Sequence, residues 1–201
     1  MIKKSALGLL LLVTHLASVA QGVSGSIYCS GYSSVSVSIS GSVAPSDVGL
    51  PGAVWVGIED PSAPGYPSAF LTANGWVPWT TGGFPTYVET GSMPPSFAYS
   101  ACIPGSSYNS YNGCATTSTN YIGWKVYAGY GVFTEEHQGL IAKRRASLDA
   151  AKPRLQQKGK WRTDYDDDVA YRNSLIQKSA NDGRWGPALT ISYMNCQYSG
   201  D

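Results

Sequence analysis

Residues 35–40 read Val-Ser-Val-Ser-Ile-Ser, so apolar and polar side chains alternate strictly. Because successive side chains of a strand point to opposite faces of its sheet, this pattern predicts a β-strand with one buried face. The apolar run Val54-Trp55-Val56-Gly57-Ile58 predicts a second strand. A turn region rich in glycine and proline, residues 41–52, separates the two.

Strand and turn signals continue on either side of this centre. Further short strands are predicted at residues 69–72, 76–79, 87–89 and 96–101, a longer one at 122–130 and a last one at 188–198. Turn-forming pairs such as Asn74-Gly75, Gly82-Gly83 and Pro94-Pro95 separate the short strands. Many short strands joined by such turns indicate a mainly β fold, and we expect an antiparallel β-sandwich.

Composition agrees with this fold class. Aromatic residues make up 12% and charged residues only 13% of the chain, and glycine and proline are abundant. The charged share is about half of that in an average soluble domain. These values are typical of a turn-rich β protein and argue against a helical bundle or a disordered chain.

Helix signals are concentrated between the last two predicted strands. Thr134 can cap a helix that opens with two glutamates and runs toward Ala146, and a second helix is predicted over 167–180. Between them, Pro153 and Gly159 are expected to interrupt a basic stretch.

The chain is therefore predicted to divide into four parts. A sandwich core spans residues 21–138, a helical and basic elaboration spans 139–186, and the final strand of the sandwich lies in 187–201. Residues 1–20 precede the core and have a different character.

The first twenty residues have the three-part layout of a cleavable signal peptide. Lys3 and Lys4 precede an apolar run at 7–13, and small residues in Ser18-Val19-Ala20 suit cleavage before Gln21. The apolar run is shorter than the ~20 residues that span a bilayer, although a permanent anchor is the competing interpretation. We therefore expect an exported protein in the periplasm, outside the cell or on its surface.

Four cysteines in an exported chain predict two disulfides, because that compartment is oxidising. Three pairings are possible, and we favour Cys102 with Cys114 and Cys29 with Cys196. The first would close a polar loop, and the second would tie the first strand to the last. Zinc is the competing interpretation, but the cysteines are not closely spaced and only one histidine, His137, follows the signal. No metal and no other cofactor is predicted.

Three segments of the chain also carry a family resemblance. They are Asp47-Val48-Gly49 with Gly52 and Val54-Trp55-Val56, then Gly75-Trp76-Val77-Pro78-Trp79 with Gly83 and Pro85-Thr86-Tyr87, and then Val126-Tyr127-Ala128-Gly129-Tyr130-Gly131. Together they resemble a module that recurs in secreted and surface proteins of proteobacteria, over residues 35–141. The resemblance implies export and a β-sandwich without an established activity. The cysteines and the long charged segment depart from its pattern.

No catalytic constellation stands out. His137 is interpreted as a solvated helix residue, with a catalytic base as the alternative. A hydrolase with two carboxylates would draw on Asp47, Glu59, Asp60 or Glu89, and nothing singles out a pair among them. We therefore predict that the protein is not an enzyme.

Two further motifs have a structural interpretation. Asp164, Asp166 and Asp168 alternate as in a calcium loop, but the required glycine and closing glutamate are missing, so the acidic first turn of a helix is favoured. Gly129-Tyr130-Gly131 lacks the rest of a phosphate-binding motif and is interpreted as a turn that ends a strand.

Two sets of residues are candidates for binding. Trp76 and Trp79, in a turn-like context, are candidates for an exposed platform that stacks on sugar rings, with core packing as the alternative. The segment 143–162 has eight basic side chains and one acidic side chain. Its candidates for binding anions are Lys152, Arg154, Lys158 and Lys160. The alternative is that nearby acids, including those at 164–168, neutralise this segment as a solvated helical hairpin.

Together these observations predict an exported structural or interaction module of the cell envelope. Its expected partners are envelope proteins or further copies of itself. The alternative function is binding of an extracellular polymer, either a glycan through Trp76 and Trp79 or an anionic polymer through the basic segment.

Overall fold

The structure, a computed structural model, describes residues 23–30, 34–65, 67–103, 108–109, 113–114 and 121–192. The predicted signal peptide and Cys196 lie outside these residues, and the side chains of Cys29 and Cys114 lie outside those described. Cys102 is disulfide-bonded. Both predicted pairings therefore stay predictions.

Eleven strands and two α-helices make up the described chain. The strands are β1 Ser24–Ser30, β2 Ser34–Ser42, β3 Gly52–Glu59, β4 Ala69–Thr72, β5 Gly75–Pro78, β6 Val88–Thr90, β7 Ser96–Cys102, β8 Tyr108–Asn109, β9 Gly113–Cys114, β10 Lys125–Val132 and β11 Trp185–Thr190. The helices are α1 Glu135–Gln157 and α2 Asp168–Asn181, with a 3-10 turn at Thr163–Asp166 between them. The prediction of a mainly β chain with two helices before the last strand is confirmed.

The strands form two main antiparallel sheets. Sheet A has the order β1-β2-β7, and sheet B has the order β11-β10-β3-β4-β5, with β6 paired to β3. The short strands β8 and β9 pair with each other. Sequence neighbours often pair, but β3 and β10 lie side by side although they are far apart in the chain, and they form the centre of sheet B.

One hydrophobic cluster joins the two sheets. Val37 and Ile39 of β2 are buried in the same cluster as Val54 and Val56 of β3 and Val126 of β10. The predicted alternation is confirmed over residues 36–40, since the serines at 36, 38 and 40 are partly or fully exposed and the residues between them are buried. Burial of these aliphatic side chains stabilises the fold by roughly 1.5–3 kcal/mol each.

The other face of sheet B is covered by α2. Every residue of β3 is buried, which requires cover on both faces of the strand. Ala53 and Trp55 point away from sheet A and form a second cluster with Ile176 and Ala180 of α2. The helix therefore belongs to the core, although the sequence placed it in an elaboration outside the core.

Gly129-Tyr130-Gly131 is not a turn, and that prediction is wrong. The three residues lie inside β10, where each pairs with a residue of β3. A Cβ atom at Gly131 would lie 2.1 Å from the backbone oxygen of Ile176. Glycine is needed here because the backbone of α2 rests directly on the strand.

The helical segment also differs in its limits from the prediction. Helix α1 ends at Gln157 instead of Ala146, and it includes Pro153, which the sequence places in the basic stretch after this helix. The last strand starts at Trp185 and ends at Thr190, so the described residues 191 and 192 are not part of it. None of the described helices combines the length and apolar character needed to cross a bilayer.

Prolines occupy both outer strands of sheet B. β5 ends with Pro78, and β11 contains Pro187, which pairs with Tyr127 of β10 next to a register shift. Proline has no N–H group to donate to a ladder, so it is tolerated only at such edge positions.

Candidate functional site

The two candidate tryptophans lie on different hydrophobic clusters. Trp76 packs against the cluster between the sheets, and its indole N–H donates to the backbone oxygen of Cys102. Trp79 packs against the cluster under α2, with its ring edge-on to Phe70 and Phe84 at centroid distances of 5.9 and 5.3 Å. The structure does not bring the two indoles together as one platform.

Helix α1 has no buried residue over 23 positions. At 1.5 Å per residue it is about 34 Å long, and its first turn lies next to β10. A helix that buries no apolar face needs other stabilisation, which here includes contacts with a neighbouring helix. Its main neighbour is α2, which runs back toward the sheet. We call α1, the 3-10 turn and α2 the helical hairpin.

Ion pairs hold the two helices of the hairpin together. Arg144 and Arg145 both bond to the carboxylate of Asp168 at the start of α2. Farther along α1, Lys152 pairs with Asp166 at 3.1 Å, and the indole N–H of Trp161 donates to the same carboxylate. These contacts lower the pKa of Asp166, mainly through the bond from Trp161 and then through Lys152. The acids at 164–168 thus neutralise much of the basic segment.

The end of α1 nevertheless keeps three cations without a described acidic partner. Arg145 is joined to the start of α2, so the last twelve residues of α1 extend about 18 Å beyond that point. Arg154, Lys158 and Lys160 lie in or just after this extension and are exposed. No carboxylate of the described residues lies within 4 Å of them. We call these three side chains the basic tip.

Ion pairs with cations also account for the three aspartates whose spacing is similar to that of a calcium loop. Asp164 pairs with Arg162 at 2.8 Å, and Asp166 and Asp168 pair with cations of α1. Within the described ranges, no group of three histidine, cysteine or acidic side chains is placed to hold a metal ion.

His137 caps the start of α1. Its backbone N–H donates to the Thr134 hydroxyl at 3.3 Å, and its Nδ1 accepts from the backbone N–H of Thr134 at 3.2 Å. This reciprocal arrangement satisfies two N–H groups that the helix leaves free. His137 therefore has a structural position that sequence reasoning did not assign to it.

Asp47 belongs to a buried polar network. Its carboxylate accepts from Arg184 Nε at 2.7 Å and from the Tyr130 hydroxyl at 3.0 Å. Arg184 also donates to the backbone oxygen of Ser179 in α2. The network ties the turn before β3 to β10 and to the end of α2, since a buried charge requires such partners.

Glu59 belongs to a second network on the opposite face of sheet B. The Tyr127 hydroxyl donates to its Oε2 at 2.7 Å, and Lys125 Nζ lies 3.3 Å from Oε1. The bond from Tyr127, followed by Lys125, lowers the pKa of Glu59. Burial and the bond to Glu59 raise the pKa of Tyr127 to about 12. Asp47 and Glu59 contact opposite faces of β10, so they are not a carboxylate pair.

The remaining two carboxylates of that set lie apart from both networks. Asp60 accepts from the backbone N–H and hydroxyl of Ser62 at 2.8 and 2.7 Å, which stabilises a turn. Glu89 is exposed in β6 and lines a cleft.

This cleft lies between α2 and the segment 82–86 and has a volume of about 650 Å³. Trp55, Phe84 and Ile176 line its apolar part. Asn173, Gln177 and Asn181 line it from α2, together with Lys178 and other residues. Sequence reasoning missed this site because its residues come from distant parts of the chain. The only local signal was Gly82-Gly83, which was interpreted as a turn.

Two contacts fix the wall of the cleft that faces α2. The backbone N–H of Phe84 donates to Gln177 Oε1 at 2.9 Å, and the indole N–H of Trp55 donates to the backbone oxygen of Phe84 at 3.1 Å. Phe84 also stacks on Phe70 at a centroid distance of 4.6 Å. The loop is therefore held at both its backbone and its side chain.

Comparison of the chain with protein-family models, with curated proteins and with solved structures gives no match.

Proposed function

We propose that the chain is an exported, non-catalytic interaction module of the cell envelope or the extracellular space. In this proposal the two sheets form the β-sandwich expected from the sequence, and the signal peptide is removed before Gln21. The resemblance to a recurrent surface module of proteobacteria supports the same conclusion. The partner is an envelope protein or a further copy of the chain.

The main support for this proposal is that helix α1 is long and has no buried side chain. A helix of 23 residues without a buried side chain contributes little to the hydrophobic core. Arg144, Arg145 and Lys152 nevertheless join it by ion pairs to the aspartates at and just before the start of α2. A long, ordered and exposed helix is well suited to contact a partner.

Site-specific photocrosslinking in exporting cells tests the proposal. A crosslinker that replaces Lys158 of the hairpin is expected to give an adduct of discrete mass, and one that replaces the exposed Thr81 of the sheet body is the matched control. Absence of any adduct from Lys158, or the same adduct from both positions, would contradict the proposal. Intact-mass measurement of the exported protein tests the start at Gln21.

A second candidate function is binding of an anionic polymer by the basic tip. Arg154, Lys158 and Lys160 favour it because they lack described acidic partners, whereas Lys152 is paired with Asp166. Their shared position at the far end of α1 gives a local positive potential. Such binding releases counterions, so affinity falls by roughly one log unit per log unit of salt for each phosphate contacted.

Chromatography on heparin and on DNA distinguishes this candidate. Replacing Arg154, Lys158 and Lys160 with serine should abolish retention at low salt and leave the unfolding transition unchanged. The matched control replaces Lys143, Arg172 and Lys178, which are exposed or half-buried cations nearer the base of the hairpin. Flow-through of the wild-type protein, or equal losses in both triple variants, would refute a site at the tip.

A further inference from the structure

We infer that the cleft between α2 and segment 82–86 is a binding site for an uncharged saccharide. This inference is independent of the proposed function, since it concerns a different surface from the helical hairpin's tip and from Trp76. The cleft volume of about 650 Å³ lies within the range of small-ligand sites, which is about 300–1,000 Å³.

Three carboxamide side chains line the cleft from α2. Asn173, Gln177 and Asn181 follow one another at intervals of four residues, so they share one face of α2. Each carboxamide offers two donors and one acceptor on a planar group. A sugar hydroxyl is likewise both a donor and an acceptor, and adjacent hydroxyls match this pattern.

The amide of Gln177 is already oriented for this task. Its oxygen accepts from the backbone N–H of Phe84, which fixes the side chain and leaves the amide nitrogen as a donor. No described protein group bonds to the side chains of Asn173 or Asn181. A ligand can therefore bond to them without displacing a protein contact.

The apolar side of the cleft complements these amides. Phe84 and Pro85 are partly exposed, and Phe84 is held against Phe70 and Trp79. A flat aromatic surface next to hydrogen-bonding groups suits a ring that has an apolar C–H face and polar edges. A purely apolar ligand would instead leave the three carboxamides without partners.

Charge narrows the ligand class. Glu89 and Lys178 are the two charged side chains among the residues that line the cleft, and their charges are opposite. A phosphate or a polyanion requires several cationic donors in one place, which this part of the structure does not provide. An uncharged ligand with many hydroxyl groups fits a cleft that is lined by one negative and one positive side chain.

Two glycines allow a test in which the fold is preserved. A Cβ at Gly83 would meet only Gln177 Oε1, at 3.8 Å, so Gly83→Leu would place a side chain in the cleft without a backbone clash. At Gly139 of α1 a Cβ meets nothing within 4 Å, so Gly139→Leu is the matched control on another surface.

Isothermal titration with cellotriose, xylotriose, mannotriose and tri-N-acetylchitotriose measures the binding. We expect the wild-type protein and Gly139→Leu to bind at least one of these with equal affinity, and Gly83→Leu to lose that binding. Asn173→Ala and Asn181→Ala should each weaken it about tenfold, and Gln156→Ala, which removes an exposed amide of α1, should not.

Three results would overturn the inference. They are no heat of binding with any of the four trisaccharides, unchanged binding by Gly83→Leu, or loss in Gly139→Leu as great as in Gly83→Leu. Binding of a peptide that Gly83→Leu abolishes, with no binding of the saccharides, would assign the cleft to peptides instead. Retention on heparin reports on the basic tip and is unaffected by these variants, so the two proposals fail separately.

Discussion

Strand β3 and helix α1 show two opposite ways of holding a segment in place. All eight residues of β3 are buried, between a cluster shared with sheet A and a cluster shared with α2. Helix α1 buries none of its 23 residues and is held by carboxylates at the start of α2 and in the preceding turn. Salt screens exposed ion pairs, whereas it does not weaken buried apolar contacts in this way. The core of the body, which includes the buried face of α2, and helix α1 should therefore respond to different perturbations.

The largest loss of stability is expected when the buried aromatic ring of Phe70 in the body is removed. Phe70 is completely buried and packs against Phe84 and Trp185, so Phe70→Ala should lower the free energy of unfolding by about 3–5 kcal/mol. The control Val169→Ala removes a side chain of the hairpin that is 64% exposed, and it should change stability by less than about 0.5 kcal/mol. Urea unfolding measures both. Similar losses would mean that the exposed first turn of α2 is as closely packed as the centre of the body.

A smaller change in the free energy of unfolding is expected when pH is varied, because Glu59 and Tyr127 of the body share a hydrogen bond. The raised pKa of Tyr127, about 12, means that its contribution to stability is fully present below the ordinary tyrosine value and is lost as pH rises toward 12. The lowered pKa of Glu59 means that its contribution is present above pH ~4.5 and is lost as pH falls below that value.

Ultraviolet titration of the tyrosines tests whether the hydrogen bond from Tyr127 to Glu59 raises the pKa of Tyr127. Glu59→Gln should lower the pKa of Tyr127, because it removes the negative charge that opposes ionisation. Tyr130, whose hydroxyl contacts Asp47 on the other face of the strand, should titrate as before. An unchanged pKa of Tyr127 in Glu59→Gln would show that burial alone raises it.

The smallest effect is expected in the hairpin. Asp168→Asn removes the carboxylate shared by Arg144 and Arg145, so amide exchange in α1 should speed up by roughly two- to fivefold while the midpoint of global unfolding stays constant. High salt should produce the same change in the wild-type protein. Asp149→Asn, which removes another acid of α1, is the control. A fall in global stability would contradict the separation of α1 from the core.

Local sequence patterns predicted the strands of the body well, because burial on one face of a strand makes apolar and polar residues alternate along the chain. The serines at 36, 38 and 40 and the apolar residues between them predicted β2, and the unbroken apolar run at 54–58 predicted β3. The unbroken apolar run also indicates that both faces of β3 are buried. The sequence does not show that α2 is the element that packs on the second face. The contact of Gly131 with α2 joins residues far apart in the chain.

The limits of the hairpin were harder to predict. Pro153 is a strong local signal for a helix end, yet α1 continues past it to Gln157. Lys152 bonds to Asp166 and lies over the ring of Trp161, 4.8 Å from its centroid, and these contacts hold the last turns against the returning chain. The cleft was unpredictable for a similar reason, since Phe84 and Gln177 meet only after α2 has docked.

The prolines of the outer strands bear on how the protein avoids aggregation. An unpaired edge of a sheet is a template on which another chain can add a strand. Pro78 and Pro187 each remove an N–H group from the edge strands of sheet B, and the register shift beside Pro187 twists that edge further. At these positions the ladder cannot be continued by an incoming strand. These two residues therefore protect the outer strands of sheet B against the strand addition that starts fibre formation.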